Sequence, residues 1–318
     1  MSDSRPYVVT LGETMALMAA EQVGPLGHSS ALRLGVGGSE SNVAIGLQRL
    51  GVRAVWIGRV GADSLGELVT RELLAEGVDT RAIVDPTAPT GLMIKERRTP
   101  SVQRVSYYRS EGAGSRLAPE DLDLALIARA SLVHVSGITP ALSASAGAAV
   151  REAIALARAA GVPVSFDLNY RASLWSETEA AAAYRELLPL ADLVFAGERE
   201  AELAVGPASD PMDLAQRLTS IGPTEAVVKL GADGAVAVVG SEAMRQNAVT
   251  VDVVDTVGAG DAFVAGYLAE RVAGLPPQQR LLTAVRTGAF ACLVPGDWEG
   301  APRRHELGLL GVDEPVLR

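Results

Sequence analysis

The feature that most constrains the fold is a regular alternation of apolar strands and Ala-rich helices that begins near residue 117. Strands that alternate with helices of 10 to 15 residues are typical of a mostly parallel sheet covered by helices. The predicted elements are strands 132–135, 162–167 and 192–196, helices 143–160 and 177–188, a helix from Glu198, and paired strands 226–230 and 235–239. We therefore predict an α/β fold.

The N-terminal third of the chain combines two patterns. Segments of about 14–34 and 90–110 alternate apolar and polar residues, as strands with one exposed face do. Such strands do not suit a helix-covered sheet, so we predict that they form a small separate sheet. With no linker or repeat in sight, residues 1–318 are expected to form one domain. The other predicted elements here are strands 7–11 and 54–60 and helices 39–50 and 64–76.

Composition restricts the classes of partner. The formal charge is −10 and only 4% of the residues are aromatic, so neither nucleic acid nor an anionic membrane is expected as the main partner. No apolar run is long enough to span a bilayer and no targeting pattern is present, which predicts a cytoplasmic protein. The three histidines are never at metal-ligand spacing, which argues against a zinc site.

The heptad Asp-Thr-Val-Gly-Ala-Gly-Asp at 255–261 leads directly into a helical stretch. Gly258, Ala259 and Gly260 thus fall at a helix N-terminus, where unpaired backbone N–H groups and the helix dipole favour a phosphate. Asp261 in the first turn feels the same field, which favours the ionised form that a base needs. For the heptad alone, an N-capping aspartate after a glycine turn is an equally good interpretation.

Three further segments carry side chains suited to a binding site. A second glycine turn at 35–38 precedes a helix and presents short polar groups, although Ser39 or Glu40 alone would be interpreted as a helix cap. Arg171 follows a buried strand, at the sheet edge where α/β folds bind ligands, and could hold a carboxylate or phosphate with two hydrogen bonds. The segment 107–109 places Tyr107 and Arg109 on one face of a strand, which suits either a ligand face or a subunit interface.

Familiar nucleotide motifs are absent. Neither Lys95 nor Lys229 follows the glycines of a P-loop, and Gly258-Ala259-Gly260 lacks the third glycine of a dinucleotide fingerprint. No Gly-x-Ser-x-Gly elbow of a hydrolase occurs. Lys229 with Gly231 and Gly234 at a strand end is consistent with a nearby nucleotide.

In this order the motifs resemble the ribokinase-like (phosphofructokinase-B type) carbohydrate kinases over nearly the whole chain. The heptad is similar to their C-terminal signature and residues 37–44 to their N-terminal glycine segment. The resemblance implies a three-layer fold with a small β-sheet lid that mediates oligomerisation. It also implies ATP and Mg²⁺ as cofactors and leaves a monovalent cation open. Asp261 would be the base, and Gly258, Ala259 and Gly260 would form the anion hole.

Within that family, segments 107–109, 136–140, 167–175 and 296–300 are most similar to 2-keto-3-deoxygluconate kinases. Two positions depart from the pattern. Met93 stands where that subgroup usually has tyrosine, and Gly197 stands where the Asn-x-x-Glu motif has asparagine, so that only Glu200 remains to bind Mg²⁺ through water. The resemblance implies two sets of binding residues: Gly37, Gly38, Asn42, Met93, Tyr107, Arg109 and Arg171 for the sugar, and Lys229, Gly231, Gly234, Gly258 and Gly260 for the nucleotide.

The function predicted from these residues is ATP-dependent phosphorylation of a small sugar acid, 2-keto-3-deoxygluconate, to its 6-phosphate. The arginine fork of Arg171, with Arg109, explains a carboxylate better than it explains a neutral sugar. A kinase for a neutral sugar such as fructose or ribose is the nearest alternative. A non-catalytic sugar or nucleotide sensor with the same fold is the alternative from another class.

Overall fold

The computed structural model describes residues 5–28, 31–99 and 102–310, and within these ranges the chain forms thirteen strands and ten α-helices. The strands are β1 (Tyr7–Leu11), β2 (Met15–Ala20), β3 (Leu32–Gly37), β4 (Arg53–Gly61), β5 (Asp79–Asp85), β6 (Leu92–Arg97), β7 (Gln103–Tyr108), β8 (Leu132–Ser136), β9 (Val164–Asp167), β10 (Leu193–Gly197), β11 (Glu225–Lys229), β12 (Ala235–Val239) and β13 (Glu242–Gln246). The helices are α1 (Ser39–Arg49), α2 (Ser64–Ala75), α3 (Leu124–Ala128), α4 (Ile138–Leu142), α5 (Ala144–Ala159), α6 (Glu177–Leu187), α7 (Glu198–Val205), α8 (Pro211–Ser220), α9 (Ala259–Val272) and α10 (Pro277–Ala291).

The larger sheet follows the order β13-β12-β11-β10-β9-β8-β1-β4-β5. Neighbouring strands from β11 to β5 are parallel, and β12 and β13 add two antiparallel strands at one edge. The predicted α/β fold and the predicted pairing of 226–230 with 235–239 are both confirmed.

Helices cover both faces of this sheet because its strands are apolar on both sides. Val9 and Val194 contribute to a core with α5, α6 and α8, whereas their neighbours in the chain, Val8 and Phe195, contribute to a core with α1, α2 and α9. Successive strand residues point to opposite faces, so each strand supplies both cores. The result is three layers, helix on sheet on helix.

The second sheet has the order β3-β2-β6-β7 and confirms the predicted small sheet. Its register assigns the side chains to two faces: Leu17, Met93 and Tyr107 are opposite one another on one face, and Met18 and Ile94 share the other. β3 continues to Gly37, three residues beyond the predicted 14–34 segment, and leads straight into α1.

The arrangement of the two sheets determines where a site can form. Parallel strands of the large sheet end together, and ligands of open α/β sheets bind outside those carboxyl ends. Asp167 ends β9, and Lys229 ends β11. The Tyr107 face of the small sheet lies over this edge, because Tyr107 and Lys229 line one cavity. Within the described ranges, no helix is both long and apolar enough to cross a membrane.

Candidate active site

The glycine turn of the heptad forms the N-terminus of a helix, as predicted. α9 begins at Ala259, and Gly258 is its N-cap with a left-handed φ of +73°. A Cβ at Gly258 would also overlap the carbonyl group of Asp297, so only glycine fits. A Cβ at Gly260 would meet only the Nζ of Lys229, at 3.8 Å, which leaves the backbone there open to a ligand. The first turn of α9 is therefore a suitable place for an anion.

Asp261 lies in this first turn and both of its carboxylate oxygens accept hydrogen bonds. The Oγ of Ser39 donates to Oδ1 at 2.8 Å, and the Nδ2 of Asn42 donates to Oδ2 at 2.8 Å. Behind Ser39, the Nδ2 of Asn169 donates to the Ser39 Oγ at 2.7 Å. Asn169 has a φ of +39°, a conformation that asparagine tolerates better than most residues. Residues from two separate segments, the start of α1 and the segment after β9, thus orient one carboxylate.

The pKa of Asp261 is shifted in the opposite direction from the expectation. Burial raises the pKa of Asp261 above its ordinary value, and the donors Asn42 and Ser39 only partly oppose this. The sequence argument considered the helix dipole alone, which favours ionisation. In the folded protein, removal of the carboxylate from water is the stronger effect.

A cleft with two adjoining compartments surrounds Asp261. The larger compartment, of about 310 Å³, is lined by Lys229 and Gly260, and the smaller, of about 100 Å³, is lined by Gly38 and Asn42. The residues that line both compartments are Met93, Tyr107, Arg171, Val257, Gly258, Asp261 and Asp297. Asp261 is therefore situated where a ligand in one compartment would meet a ligand in the other.

The two predicted carboxylate-binding arginines have different surroundings. Arg171 is exposed on the cleft wall, and its Nη1 donates to the carbonyl oxygen of Tyr170 at 3.2 Å. Arg109 is ion-paired instead, with its Nη2 2.5 Å from the Oε2 of buried Glu13. Burial raises the pKa of Glu13, which Arg109 opposes. Arg171 can therefore bind an acidic ligand, whereas Arg109 is already paired with the carboxylate of Glu13.

Lys229 is also ion-paired. Its Nζ lies 2.9 Å and 3.0 Å from the two carboxylate oxygens of Asp167. Burial disfavours its charge, but Asp167 and Glu200 outweigh that effect and raise the pKa of Lys229. Lys229 is thus a fixed positive charge beside Gly260.

Sequence reasoning assigned no role to Lys95 and Asp297, and the structure brings both into the cleft. The Nζ of Lys95, on β6, donates to the Oδ2 of Asp255 at 2.7 Å and lies 3.7 Å from the Oδ1 of Asp297. Burial raises the pKa of Asp297 to about 7. The only sequence signal was that Lys95 is one of two lysines in the chain.

Only some of the remaining predicted residues line the cleft. Gly37 ends β3, where a Cβ would overlap Asp297 and Met93, so it belongs to the cleft wall. Gly231 and Gly234 form the turn after β11 with positive φ angles and line neither compartment. Glu200 accepts backbone hydrogen bonds from Gly197 at 2.6 Å and Tyr170 at 3.0 Å. In the part of the chain that the structure describes, no three His, Cys, Asp or Glu side chains converge as a metal site.

Comparison with known proteins adds to this geometry. The family model described as pfkB family carbohydrate kinase matches residues 5–304. The chain is 37% identical to a 2-dehydro-3-deoxygluconokinase from Bacillus subtilis (strain 168), over 94% of this chain and 93% of that protein. It is 35% identical to a 2-dehydro-3-deoxygalactonokinase from Haloferax volcanii, over 91% and 92%. A crystal structure of a putative ribokinase II from E. coli in complex with ATP and Mg²⁺ superimposes with a TM-score of 0.89 at 27% identity, over 96% of this chain and 98% of that one.

Proposed function

Because this chain belongs to the pfkB family of carbohydrate kinases, we propose that it transfers the γ-phosphoryl group of ATP to 2-keto-3-deoxygluconate and produces the 6-phosphate. The observation that carries the proposal is the position of Asp261. Its carboxylate is oriented by Ser39 and Asn42, at a helix N-terminus, between the two compartments of one cleft. A base at such a junction can reach a hydroxyl group and a phosphate at once.

In the proposed reaction Asp261 accepts the proton of the sugar hydroxyl as that oxygen attacks the γ-phosphorus. One O–P bond forms, the bond from phosphorus to the ADP oxygen breaks, and ADP leaves. Phosphoryl transfer depends mainly on alignment and on stabilisation of charge. The N–H groups of the Gly258–Gly260 turn would stabilise the equatorial oxygens, and Lys229 adds a fixed positive charge next to them.

ATP and Mg²⁺ fit this end of the cleft. Gly260 leaves the backbone open beside the Nζ of Lys229, which suits a phosphate. Mg²⁺ commonly keeps several waters and uses one or two carboxylates, so it needs no dedicated cage of side chains. Glu200 already accepts two backbone N–H groups, and it would hold Mg²⁺ through water rather than directly. When bound, the ion neutralises charge on the phosphates. A requirement for a monovalent cation is left open.

The preference for a sugar acid rests on Arg171. It is a cation on the wall shared by both compartments, and its guanidinium has the geometry to bind a carboxylate with two hydrogen bonds. The names of the Bacillus and Haloferax relatives, each a kinase of a dehydro-deoxy sugar acid, support the same class of substrate. They also leave the gluconate and galactonate configurations open.

A neutral sugar is the second candidate, and the Glu13–Arg109 pair favours it. With Arg109 neutralised by Glu13, the smaller compartment holds less positive charge than the sequence suggested. Measuring kcat/KM with ATP on 2-keto-3-deoxygluconate, 2-keto-3-deoxygalactonate, fructose and ribose distinguishes the candidates. A preference for fructose or ribose would overturn the sugar-acid proposal, and the absence of turnover on all four would favour a sensor.

We further propose that the small sheet serves as a lid and as an oligomer interface. Its outer face exposes 42% of Leu32, 51% of Leu34 and 62% of Tyr108, three large hydrophobic side chains on the two edge strands. The opposite face lies over the cleft and would limit ATP hydrolysis by excluding water.

Because it uses ATP, the enzyme is expected to act in the cytoplasm.

A further inference from the structure

Both lysines of the chain are used in the cleft. Lysine and arginine together number 28, yet only Lys95 and Lys229 are lysine. Each forms an ion pair with a largely buried carboxylate, Asp255 and Asp167 respectively. An ammonium group is more compact than a guanidinium, so the two are not interchangeable in a tight site. Lys229 lies beside the helix N-terminus, but Lys95 comes from the other sheet.

Lys95 contacts the residue that shapes the anion-binding turn. The Oδ1 of Asp255 accepts a hydrogen bond from the backbone N–H of Val257 at 3.1 Å, directly before Gly258. The Oδ2 of Asp255 accepts from the N–H of Gly296 at 3.2 Å and from Lys95 at 2.7 Å. Asp255 therefore joins the two backbone segments that meet at Gly258.

The charge balance makes this contact important. Burial alone would raise the pKa of Asp255, but the hydrogen bonds from Lys95 and Val257 outweigh burial and lower it. The side chain of Lys95 is 7% exposed and that of Asp255 is 2% exposed. A carboxylate so buried would be costly without its cation.

Lys95 also joins the turn to the substrate-facing side of the small sheet. It lies on β6, on the same face as Met93, and two residues further on Arg97 donates to the carbonyl oxygen of Val254 at 3.3 Å. β6 pairs with β7, which carries Tyr107 into the cleft. Any displacement of the small sheet would therefore move Lys95 relative to Asp255.

We infer that Lys95 is a positioning residue for phosphoryl transfer: through Asp255 it holds the anion-binding turn and couples the position of the small sheet to the geometry of that turn. The inference rests on the proposed function and adds to it a route from the sugar-facing sheet to the transfer site. A sugar that draws the small sheet onto the cleft would complete the anion hole in the same movement.

Replacement of Lys95 by methionine tests the inference, because methionine keeps much of the volume and removes the charge. We expect kcat to fall by about 100-fold, the cost of misplacing a reacting group by about 1 Å, while the KM for the sugar changes by less than about threefold. The fraction of ATP hydrolysed without sugar phosphorylation should rise. Arg59→Met, which breaks the Arg59–Asp121 pair outside the cleft, is the matched control and should lower stability alone. An unchanged kcat in Lys95→Met would overturn the inference.

A double-mutant cycle identifies the route. If Lys95 acts through Asp255, then Lys95→Met combined with Asp255→Asn lowers kcat no further than the worse single variant. Independent actions would instead multiply the two factors, and that result would contradict the inference. The double variant removes both charges of the Lys95–Asp255 pair. If Lys95→Met alone does not fold, the comparison of the double variant with Asp255→Asn carries the test: equal kcat supports a route through Asp255, and a further loss contradicts it.

Amide hydrogen exchange separates this inference from the proposed function. Without any ligand, the N–H groups of Val257 and Gly296, which both donate to Asp255, should exchange faster in Lys95→Met than in the unmodified protein, while those of α5 remain unchanged. Equal exchange at Val257 and Gly296 would refute the role of Lys95 whatever the substrate is. Conversely, an enzyme that phosphorylates no sugar acid would refute the proposed substrate and leave the exchange result valid.

Discussion

Asn42 and Asp261 are 219 positions apart in the chain, and the side-chain amide of Asn42 donates a 2.8 Å hydrogen bond to the Asp261 carboxylate. One residue is at the start of α1 and the other at the start of α9, so the bond joins two glycine turns that are unrelated in sequence. Asn42 was expected to bind the sugar. In the structure its amide group orients the Asp261 carboxylate, and contact with a sugar stays a prediction.

Asp261→Asn should reduce kcat by about 100- to 10,000-fold, the usual contribution of a general base. Asparagine keeps the shape of the side chain, so the Kd for ATP should change little. Steady-state kinetics and calorimetry measure the two quantities. Asp210→Asn, which alters the exposed N-cap of α8, is the control. Near-normal turnover of Asp261→Asn would exclude Asp261 as the base.

The pH dependence should follow the ionisation of Asp261. A base acts only when it is ionised, and its pKa is raised by burial, so kcat/KM should fall as pH decreases through a value above the ordinary 3.8. Ser39→Ala removes one donor to the carboxylate and should move this acidic limb to higher pH. Ser176→Ala, at the exposed N-cap of α6, should not move it. Burial raises the pKa of Asp297 to about 7, so the same pH profile measured on Asp297→Asn distinguishes ionisation of Asp261 from ionisation of Asp297.

Two glycines with nearly the same backbone conformation allow the anion hole to be tested. Gly258 and Gly274 have φ angles of +73° and +76°, but only Gly258 lacks room for a Cβ. Gly274→Ala should lower stability by about 1–2 kcal/mol through the left-handed conformation alone and leave kcat unchanged. Gly258→Ala should cost more stability and lower kcat by at least about tenfold. Equal kcat in the two variants, measured beside their Tm, would contradict the proposed anion hole.

Arg171→Leu should lower kcat/KM more on sugar acids than on neutral sugars. Loss of a charge-assisted pair is worth about 1.5–3 kcal/mol, or roughly 10- to 100-fold, on 2-keto-3-deoxygluconate. Fructose has no carboxylate to lose this contact. Arg217→Leu on α8, where Arg217 pairs with Asp213, is the control and should affect neither substrate. Equal losses on both sugars would show that Arg171 does not bind the carboxylate.

Leu34→Glu should dissociate the proposed oligomer. Leu34 is on the exposed face of β3, and a buried glutamate at an interface would be unpaired. Sedimentation or light scattering measures the mass of the particle. Leu124→Glu, which changes an equally exposed leucine on α3, should leave the mass unchanged. An unmodified protein that is already a monomer would refute the interface.

The sequence predicted the fold well where periodicity is strong, and it predicted the position of a helix N-terminus well where a motif is local. The alternation after residue 117 gave the parallel sheet, and the heptad located the start of α9 because its glycines and helix are adjacent in the chain. Strands β5 and β13 and helices α3, α4, α8 and α10 were not predicted. β5 and β13 are edge strands whose residues alternate only weakly between apolar and polar. They are strands because they pair with a neighbouring strand, which a local sequence pattern does not show.

Pairs that are distant in sequence were beyond the reach of sequence reasoning. Nothing local in Glu13 shows that it neutralises Arg109, and nothing in Lys95 shows that it binds Asp255 160 positions away. The raised pKa of Asp261 was missed for a related reason. The helix dipole can be inferred from a turn, whereas burial depends on every segment that packs around the carboxylate.

The burial of both lysines has a practical consequence. Side-chain exposure is 7% at Lys95 and 18% at Lys229, and each ammonium is held by a carboxylate. Acylating reagents attack the neutral amine, so these two groups will react mainly when the cleft opens and the ion pairs break. The rate at which an acylating reagent modifies the two lysines should therefore report how often the cleft opens. A bound sugar should lower that rate.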